Sequence, residues 1–233
     1  MIPSLHTYTH VCKERQQLME IRMRRSKEDA EQTRQAILDA AEELFCSLGV
    51  GASTLEKISR RAGVTRGALY WHFKDKGDLL QALHDRSMPV QVVLIETAAK
   101  TGHDDPLGLL NTAAIDMLLA FEKDPQQQRM FAIMNSHSPD EEGSAWIAKV
   151  NGDLFRTLST LVKQAHSKGQ LSEDFQPKEA AVIMLATVNG LLNEWLRSGK
   201  SFPLARLGAK IITRQTEMFR HSPVPVGRRA SIR

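Results

Sequence analysis

The chain has little of what marks secreted, disulfide-bonded or membrane-spanning proteins. Among its 233 residues only Cys12 and Cys46 are cysteines, too few for a disulfide framework, and a reducing cytoplasm is the simplest setting for them. No apolar run is long enough to cross a bilayer, and the N-terminus lacks the continuous apolar core of a secretory signal. We therefore expect a globular cytoplasmic protein with no membrane partner.

Motifs of the common catalytic classes are missing as well. The chain contains no G-x-S-x-G nucleophile elbow, no P-loop, no G-x-G-x-x-G fingerprint and no H-E-x-x-H zinc motif. Its eight histidines are scattered, although a metal site joining His84, His103 and His137 is conceivable. We expect no catalytic residues, no bound metal and no cofactor.

The first part of the chain changes character near residue 26. Residues 1–25 show no sustained hydrophobic period, which leaves two explanations open: a short disordered arm, or a mis-assigned start with translation beginning at Met23. Ser26 and Asp29 resemble a capping box that begins a helix, and Gly49 is placed to end it. The apolar stripe of this helix consists of Ile37, Ala41, Leu44, Phe45 and Leu48.

Two short helices joined by a tight turn follow. The second helix is predicted to begin at a capping box from Ser53 to Glu56 and to stop at Gly63, and the third begins at the N-cap residue Thr65. This is the spacing of a helix-turn-helix, a motif that places its second helix in the major groove of DNA. The predicted shared core contains Leu55, Ile58, Ala62, Val64, Leu69 and Phe73.

The third helix is predicted to have two different faces. Leu69 and Phe73 turn inward, whereas Arg66 and Tyr70 share another face of the helix. Gly67 costs a short helix about 1 kcal/mol relative to alanine. A close approach of the backbone to a DNA groove would explain why that cost is tolerated.

Cations are concentrated around this motif. The net charge of +4 is weak evidence for a nucleic-acid partner, but between residues 57 and 76 the one acidic residue is Asp75. A run of cations by itself is more simply explained as a solvent-exposed helix face. Because this run coincides with a helix-turn-helix, it indicates contact with the DNA backbone. The cations are Lys57, Arg60, Arg61, Arg66, Lys74 and Lys76.

The segment TLEKISRRAGVTRGALYWHFKDKGDLLQAL resembles the DNA-binding half of the TetR family of bacterial repressors, in particular the AcrR-like branch that controls multidrug efflux pumps. The preceding TRQAILDAAEELFCSLGV is similar to the first helix of that family. This resemblance covers roughly residues 26–90. Two later segments, DPLGLL and NGLLNEWL, are more weakly similar to the same branch.

The resemblance implies a recognition helix that begins at Thr65. Arg66 and Gly67 would then lie toward base edges, where the arginine fork can give guanine two hydrogen bonds. Trp71 could instead pack against the first helix. The residues implied to contact phosphate or sugar are Thr54, Thr65, Tyr70, Trp71, His72 and Lys76.

The resemblance also implies the architecture of the whole chain. We expect an all-α fold of about nine helices: an N-terminal three-helix helix-turn-helix DNA-binding domain over residues 26–90, then a helical ligand-binding and dimerisation domain over residues 91–221. Residues 222–233 are expected to be a disordered tail. A fourth helix from Lys76, kinked at Pro89, would link the two domains.

The last two long helices are expected to form a dimer interface. The helix from Pro177 is apolar on most sides between Ala180 and Leu196, so it must be buried in a core or against a partner. In the resembled family these helices pair with their copies, and a homodimer suits a palindromic double-stranded DNA operator. The core of a monomer is the alternative.

Methionines and aromatic residues in the second half of the chain suit an adaptable pocket for a small hydrophobic effector. Each of them, at helical spacing, also fits an ordinary core. The residues predicted to line the pocket are His84, Met88, Asn111, Phe121, Met134 and Trp146.

The sequence thus predicts a ligand-responsive DNA-binding repressor of a multidrug efflux operon, released from its operator by a small hydrophobic ligand. A TetR-type regulator of another pathway, either a metabolite sensor or an activator, is the second hypothesis. A helical binding module or enzyme that merely carries this fold is the third.

Overall fold

The computed structural model describes residues 5–135 and 143–220, with the backbone alone described for residues 5–26. These ranges contain ten α-helices and no β-strand, which confirms the predicted all-α class. The helices are α1 (Leu5–Leu48), α2 (Leu55–Arg61), α3 (Arg66–His72), α4 (Lys76–Ser87), α5 (Val90–Thr101), α6 (Pro106–Lys123), α7 (Pro125–Asn135), α8 (Ser144–Ser167), α9 (Pro177–Arg197) and α10 (Leu204–Phe219).

The chain divides into two compact units. Among the described residues, 5–83 and 143 form the first, which we call the head, and 84–135 and 144–220 form the second, which we call the body. The division falls within α4, ahead of residue 90, where the sequence placed the boundary between the DNA-binding and ligand-binding domains. Those functional boundaries stay a prediction.

Helix α1 begins at Leu5, not at Ser26 as predicted. No proline or glycine interrupts residues 5–48, so a capping residue in the middle of this stretch does not by itself start a helix. Residues 5–25 are therefore helical where a disordered arm was one expectation; translation from Met23 stays a prediction. The helix ends as predicted, before Gly49 with its φ of 80°.

Two threonine caps and a glycine turn set the geometry of α2 and α3. The Thr54 and Thr65 hydroxyl oxygens accept hydrogen bonds from the backbone N–H groups of Lys57 (3.2 Å) and Ala68 (3.1 Å). Between the helices, Gly63 has a φ of 68°, a conformation that favours glycine. The predicted capping box from Ser53 is wrong, because the Ser53 hydroxyl donates to the Gly49 carbonyl instead.

The core of the head lies on the predicted helix faces. Ile37 and Phe45 of α1, Ile58 of α2, and Leu69 and Phe73 at α3 are all buried. Contacts join α1 to both α2 and α3. Four residues predicted for this core are less buried than expected. Leu48, from the apolar stripe of α1, is exposed. Leu55, Ala62 and Val64, from the predicted core of α2 and α3, are only partly buried.

Pro89 separates two helices where the sequence predicted one kinked helix. Helix α4 ends at Ser87, and Pro89 is the N-cap residue of α5. Proline has no N–H to continue the helical ladder, and it disfavours helical geometry in the residue before it. This break raises the number of helices in the described ranges to ten.

Prolines begin three of the later helices. Helices α6, α7 and α9 start at Pro106, Pro125 and Pro177, and α10 starts at Leu204. In the body, α6 packs against α8 and α10, and α9 packs against α8 and α10. The predicted tail over residues 222–233 lies outside the described residues.

The DPLGLL segment has a structural explanation within the body. Asp105 caps α6 by accepting from the Gly108 N–H, and Arg220, just after α10, donates to both Asp105 oxygens (2.9 and 2.8 Å). Burial would raise the pKa of Asp105, but the hydrogen bonds from Arg220 and Gly108 lower it below its ordinary value. A Cβ at residue 108 would overlap the Asp105 carboxylate, so glycine allows this cap to form without displacing the carboxylate.

Candidate nucleic-acid interface

Helix α3 has one buried side and one strongly exposed side. Leu69 and Phe73 are 1% and 3% exposed, whereas Tyr70 and Trp71 are 49% and 74% exposed. Arg66, the first residue of the helix, is exposed as well. The alternative that Trp71 packs against the first helix is therefore wrong; its ring instead stands edge-on to His72, with 4.6 Å between the ring centroids.

Gly67 lies on this surface without a packing reason to be glycine. A Cβ built at this position would meet only the Thr65 hydroxyl oxygen, at 3.9 Å, and no backbone strain demands glycine there. The absence of a side chain leaves the first turn of α3 open to a close approach from outside. The sequence prediction for this residue therefore remains physically reasonable.

Several cations of the predicted basic face are already engaged within the head. Arg61 gives two hydrogen bonds to the Glu43 carboxylate (2.9 and 2.8 Å), and Arg60 pairs with Glu56 at 3.2 Å. Lys57 donates to the Ala52 carbonyl at 2.9 Å. The density of cations in the sequence therefore overstates the positive charge available to a phosphate.

Lys76 is a buried residue rather than a surface cation. Its side chain donates to the carbonyl oxygens of Val50 (3.1 Å) and Gly51 (3.3 Å), in the turn that follows α1. The residue is 6% exposed. A phosphate contact by the Lys76 ammonium does not fit this position, because burial and two carbonyl partners hold it inside the head.

His72 is half-buried at the last position of α3. Burial lowers its pKa below the ordinary value, and the positive charge of Arg34 lowers it further, against an opposing effect of Glu31. The imidazole is therefore neutral at neutral pH and can offer one N–H to an acceptor. A phosphate contact by His72 stays a prediction.

Two of the predicted pocket residues meet in the body. The rings of His84 and Trp146 are edge to face, with centroids 5.5 Å apart. The His84 Nδ1 atom is buried without a hydrogen-bond partner, because the Asp85 carboxylate lies 3.7 Å away, too far for a hydrogen bond. Burial lowers the pKa of His84 despite the opposing effects of Asp85 and Glu96.

The other predicted pocket residues have different surroundings. Phe121 is 3% exposed and packs against Phe131 and Trp195, with ring centroids 5.5 and 5.9 Å apart. It is therefore a core residue rather than one that lines an open pocket. Asn111 keeps a buried side-chain oxygen without a hydrogen-bond partner. Met88 and Met134 are partly buried.

The described ranges contain neither a candidate metal cluster nor a helix that could span a membrane. Residues 5–135 and 143–220 hold no group of three or more His, Cys, Asp or Glu side chains placed to hold a metal ion. His137, the third member of the conceivable metal set, lies outside them. Over the same ranges, every helix is too short or too polar to cross a bilayer.

Comparison with known proteins identifies the family of this chain. Residues 37–83 match bacterial regulatory proteins of the tetR family, and residues 105–221 match the C-terminal region of MAATS-type transcriptional repressors. The chain belongs to the TetR family, as its sequence predicted. This is a family of transcriptional regulators.

Individual relatives cover most of the chain. The HTH-type transcriptional repressor BepR of Brucella suis biovar 1 (strain 1330) is 38% identical over 195 residues, which span 82% of this chain and 93% of BepR. The structure of NalD, the secondary repressor of the MexAB-OprM multidrug efflux pump in Pseudomonas aeruginosa, has a TM-score of 0.71 at 28% identity and covers 84% of this chain and 99% of NalD.

A second similar structure contains a bound ligand. SmeT, the repressor of the Stenotrophomonas maltophilia multidrug efflux pump SmeDEF, has been determined as a triclosan complex. That complex has a TM-score of 0.69 at 30% identity, and covers 82% of this chain and 93% of SmeT.

Replacing Lys76 tests its structural assignment. We expect Lys76→Met to destabilise the head by about 1–3 kcal/mol, because the buried Val50 carbonyl and the partly buried Gly51 carbonyl lose their donor. The matched variant Lys74→Met, at an exposed position nearby, should stay within about 0.5 kcal/mol of the wild type. Thermal unfolding together with amide exchange of α1–α3 measures both. Equal stability of the two variants would contradict the assignment.

Proposed function

We propose that this protein is a ligand-responsive repressor of a multidrug efflux operon, acting in the cytoplasm, which binds a palindromic DNA operator as a homodimer. The observation that carries the DNA-binding part is the two-sided α3, whose buried Leu69 and Phe73 leave Arg66, Tyr70 and Trp71 exposed. The efflux part rests on similarity to NalD and SmeT, both repressors of such pumps.

The exposed side of α3 suits the major groove of DNA. Arg66 is proposed to read guanine through two hydrogen bonds, while Gly67 lets the helix backbone approach the bases. Tyr70, Trp71 and His72 would contact phosphate and sugar, which position the protein without reading sequence. The hydroxyl groups of Thr54 and Thr65 accept from the helix N-termini and can still donate to phosphate. For Lys76 only the backbone N–H is proposed as a contact.

Exposed apolar residues on α9 and α10 support a dimer. Val182 on α9 is 48% exposed, and Leu207 and Met218 on α10 are 39% and 50% exposed. About two turns after Val182, Gly190 is also exposed, and a Cβ there would meet nothing within 4 Å, which leaves room for a partner helix. We propose that these faces pair with their copies, since a two-fold dimer matches a palindrome.

The effector is proposed to bind next to His84 and Trp146. This pair offers an aromatic surface and a buried nitrogen without a partner, and such unsatisfied polar atoms are candidates for a ligand contact. His84 also lies on α4, the helix that begins in the head at Lys76. A ligand that alters the contact between His84 and Trp146 would thereby bias the position of α4.

Substitution of Arg66 tests the DNA-reading part. The operator is first obtained as the palindrome that the wild type enriches from a random duplex library. Arg66→Ala should lose about 1–3 kcal/mol of discrimination between this operator and scrambled DNA, because a bidentate base contact disappears. The control is Arg60→Ala, since Arg60 is an exposed arginine paired with Glu56 in the neighbouring helix. Fluorescence anisotropy on both duplexes measures the ratio.

Two results would overturn this part of the proposal. Equal operator preference in Arg66→Ala and wild type would show that another element reads the bases. Absence of any salt-sensitive, sequence-specific binding by the wild type would favour a helical binding module or an enzyme instead.

Substitution of His84 tests the effector site. His84→Phe keeps a ring against Trp146 but removes the buried nitrogen, so operator affinity should stay unchanged while the triclosan concentration needed for release rises about five-fold, the value of one hydrogen bond. The control is His166→Phe on the exposed end of α8. Release is measured by anisotropy of the labelled operator.

The outcome of the triclosan titration separates the regulator hypotheses. Failure of triclosan, dyes and bile salts to release the wild type would favour a metabolite sensor or an activator over an efflux repressor. Release with equal sensitivity in His84→Phe would place the effector away from His84.

A further inference from the structure

We propose that Arg34 of α1 and Lys74 of the turn between α3 and α4 form a phosphate-binding pair, which we call the backbone clamp. It would hold the DNA backbone at the C-terminal end of α3 while Arg66 reads bases at the N-terminal end. This inference rests on the proposed DNA-binding function. It gives Lys74 and Arg34 the role that the sequence had placed on Lys76.

Arg34 is held beside the end of the recognition helix by an aromatic contact. Its guanidinium carbon lies 5.4 Å from the centroid of the Phe73 ring, and Phe73 is the C-cap residue of α3. A guanidinium stacked in this way keeps its N–H donors at its edge, where a phosphate can accept from them. Arg34 forms a long ion pair with the Glu31 carboxylate, 3.9 Å away and beyond hydrogen-bond distance, and the Arg34 side chain is 35% exposed.

Lys74 directly follows Phe73, the residue whose ring Arg34 covers, so its backbone lies next to the residue that holds Arg34. The turn that carries Lys74 is fixed by its own hydrogen bonds: the Lys74 N–H donates to an Asp78 oxygen at 3.0 Å, and the Asp78 N–H donates to Asp75 at 3.0 Å. The Lys74 side chain is exposed. A mobile ammonium on a fixed turn is a suitable phosphate contact.

The remaining cations of the head are poorer candidates. Arg60 and Arg61 have carboxylate partners, and Lys57 and Lys76 donate to backbone carbonyls. Lys27 is exposed on α1, two turns before Arg34. Around α3 itself, in the part of the head whose side chains are described, Arg66 and Lys74 have side chains without such a partner, and Arg34 has only the long 3.9 Å ion pair with Glu31.

The length of α3 fits a DNA groove. Helix α3 has seven residues, so Arg66 and Phe73 are separated by about 10 Å along the helix axis. The major groove is about 12 Å wide. Arg66 can therefore lie near base edges while the backbone clamp lies near the phosphates that border the groove.

The salt dependence of operator binding tests the clamp. Each phosphate contact contributes about 0.9 to the slope of log K against log salt concentration. We expect Arg34→Gln and Lys74→Gln each to lower that slope by about this amount on operator and scrambled duplexes alike. The ratio of the two affinities should stay unchanged, because backbone contacts carry no sequence information.

Three further variants make the readout specific. Arg34→Lys keeps the charge and should keep the slope, whereas a purely structural role for Arg34 would not be rescued by lysine. Lys57→Gln removes a cation already engaged by the Ala52 carbonyl and should leave the slope unchanged. Combining Arg34→Gln with Lys74→Gln should lower the slope by about twice the single value. Thermal melts check folding, and the exposed Lys74 carries the test if Arg34→Gln is unfolded.

The possible failures are distinguishable. A wild type that binds no duplex with sequence preference contradicts the proposed function itself. A wild type that binds its operator, with unchanged slopes in folded Arg34→Gln and Lys74→Gln, overturns only the clamp. A weaker Arg34→Gln with an unchanged slope would overturn the phosphate contact and show that Arg34 acts through Phe73 alone.

Discussion

The burial of Leu69 and Phe73 is the interaction on which the DNA-binding geometry depends. Helix α3 has only seven residues, too few to be stable without tertiary packing. Its orientation is therefore set by these two buried side chains and by the Thr65 cap at its first turn. Once Leu69 and Phe73 are packed in the core, Arg66 and Tyr70 face solvent. The packing that stabilises α3 therefore also exposes the residues proposed to recognise DNA.

Charge around α3 is used more selectively than the sequence suggests. A cluster of lysines and arginines looks like one basic surface, yet Arg60 and Arg61 pair with acids and Lys76 supports the turn after α1. Salt-dependent affinity then depends on the few cations that keep no close partner. Helix α4 has an equally divided role, because Lys76 is bound within the head while His84 contacts Trp146 within the body.

Local rules gave the parts of the fold that depend on neighbouring residues. The cap at Thr65, the faces of α3 and the start of α9 at Pro177 could be predicted from spacing, whereas the cap of α2 was predicted at Ser53 and lies at Thr54. Long-range partners could not, because nothing in the spacing of Lys76 shows that its ammonium meets carbonyls 25 and 26 residues earlier. The contact of His84 with Trp146 and the pairing of Arg61 with Glu43 were missed for the same reason.

Amide hydrogen exchange with and without the operator duplex tests most directly whether α3 is the DNA-reading element. Protection should rise in residues 54–57 and 65–74, where the capped helix starts and the exposed side of α3 lie, and the buried centre of α1 should change little. Unchanged exchange in α2 and α3 in the presence of a saturating operator, or protection confined to the body, would contradict this assignment.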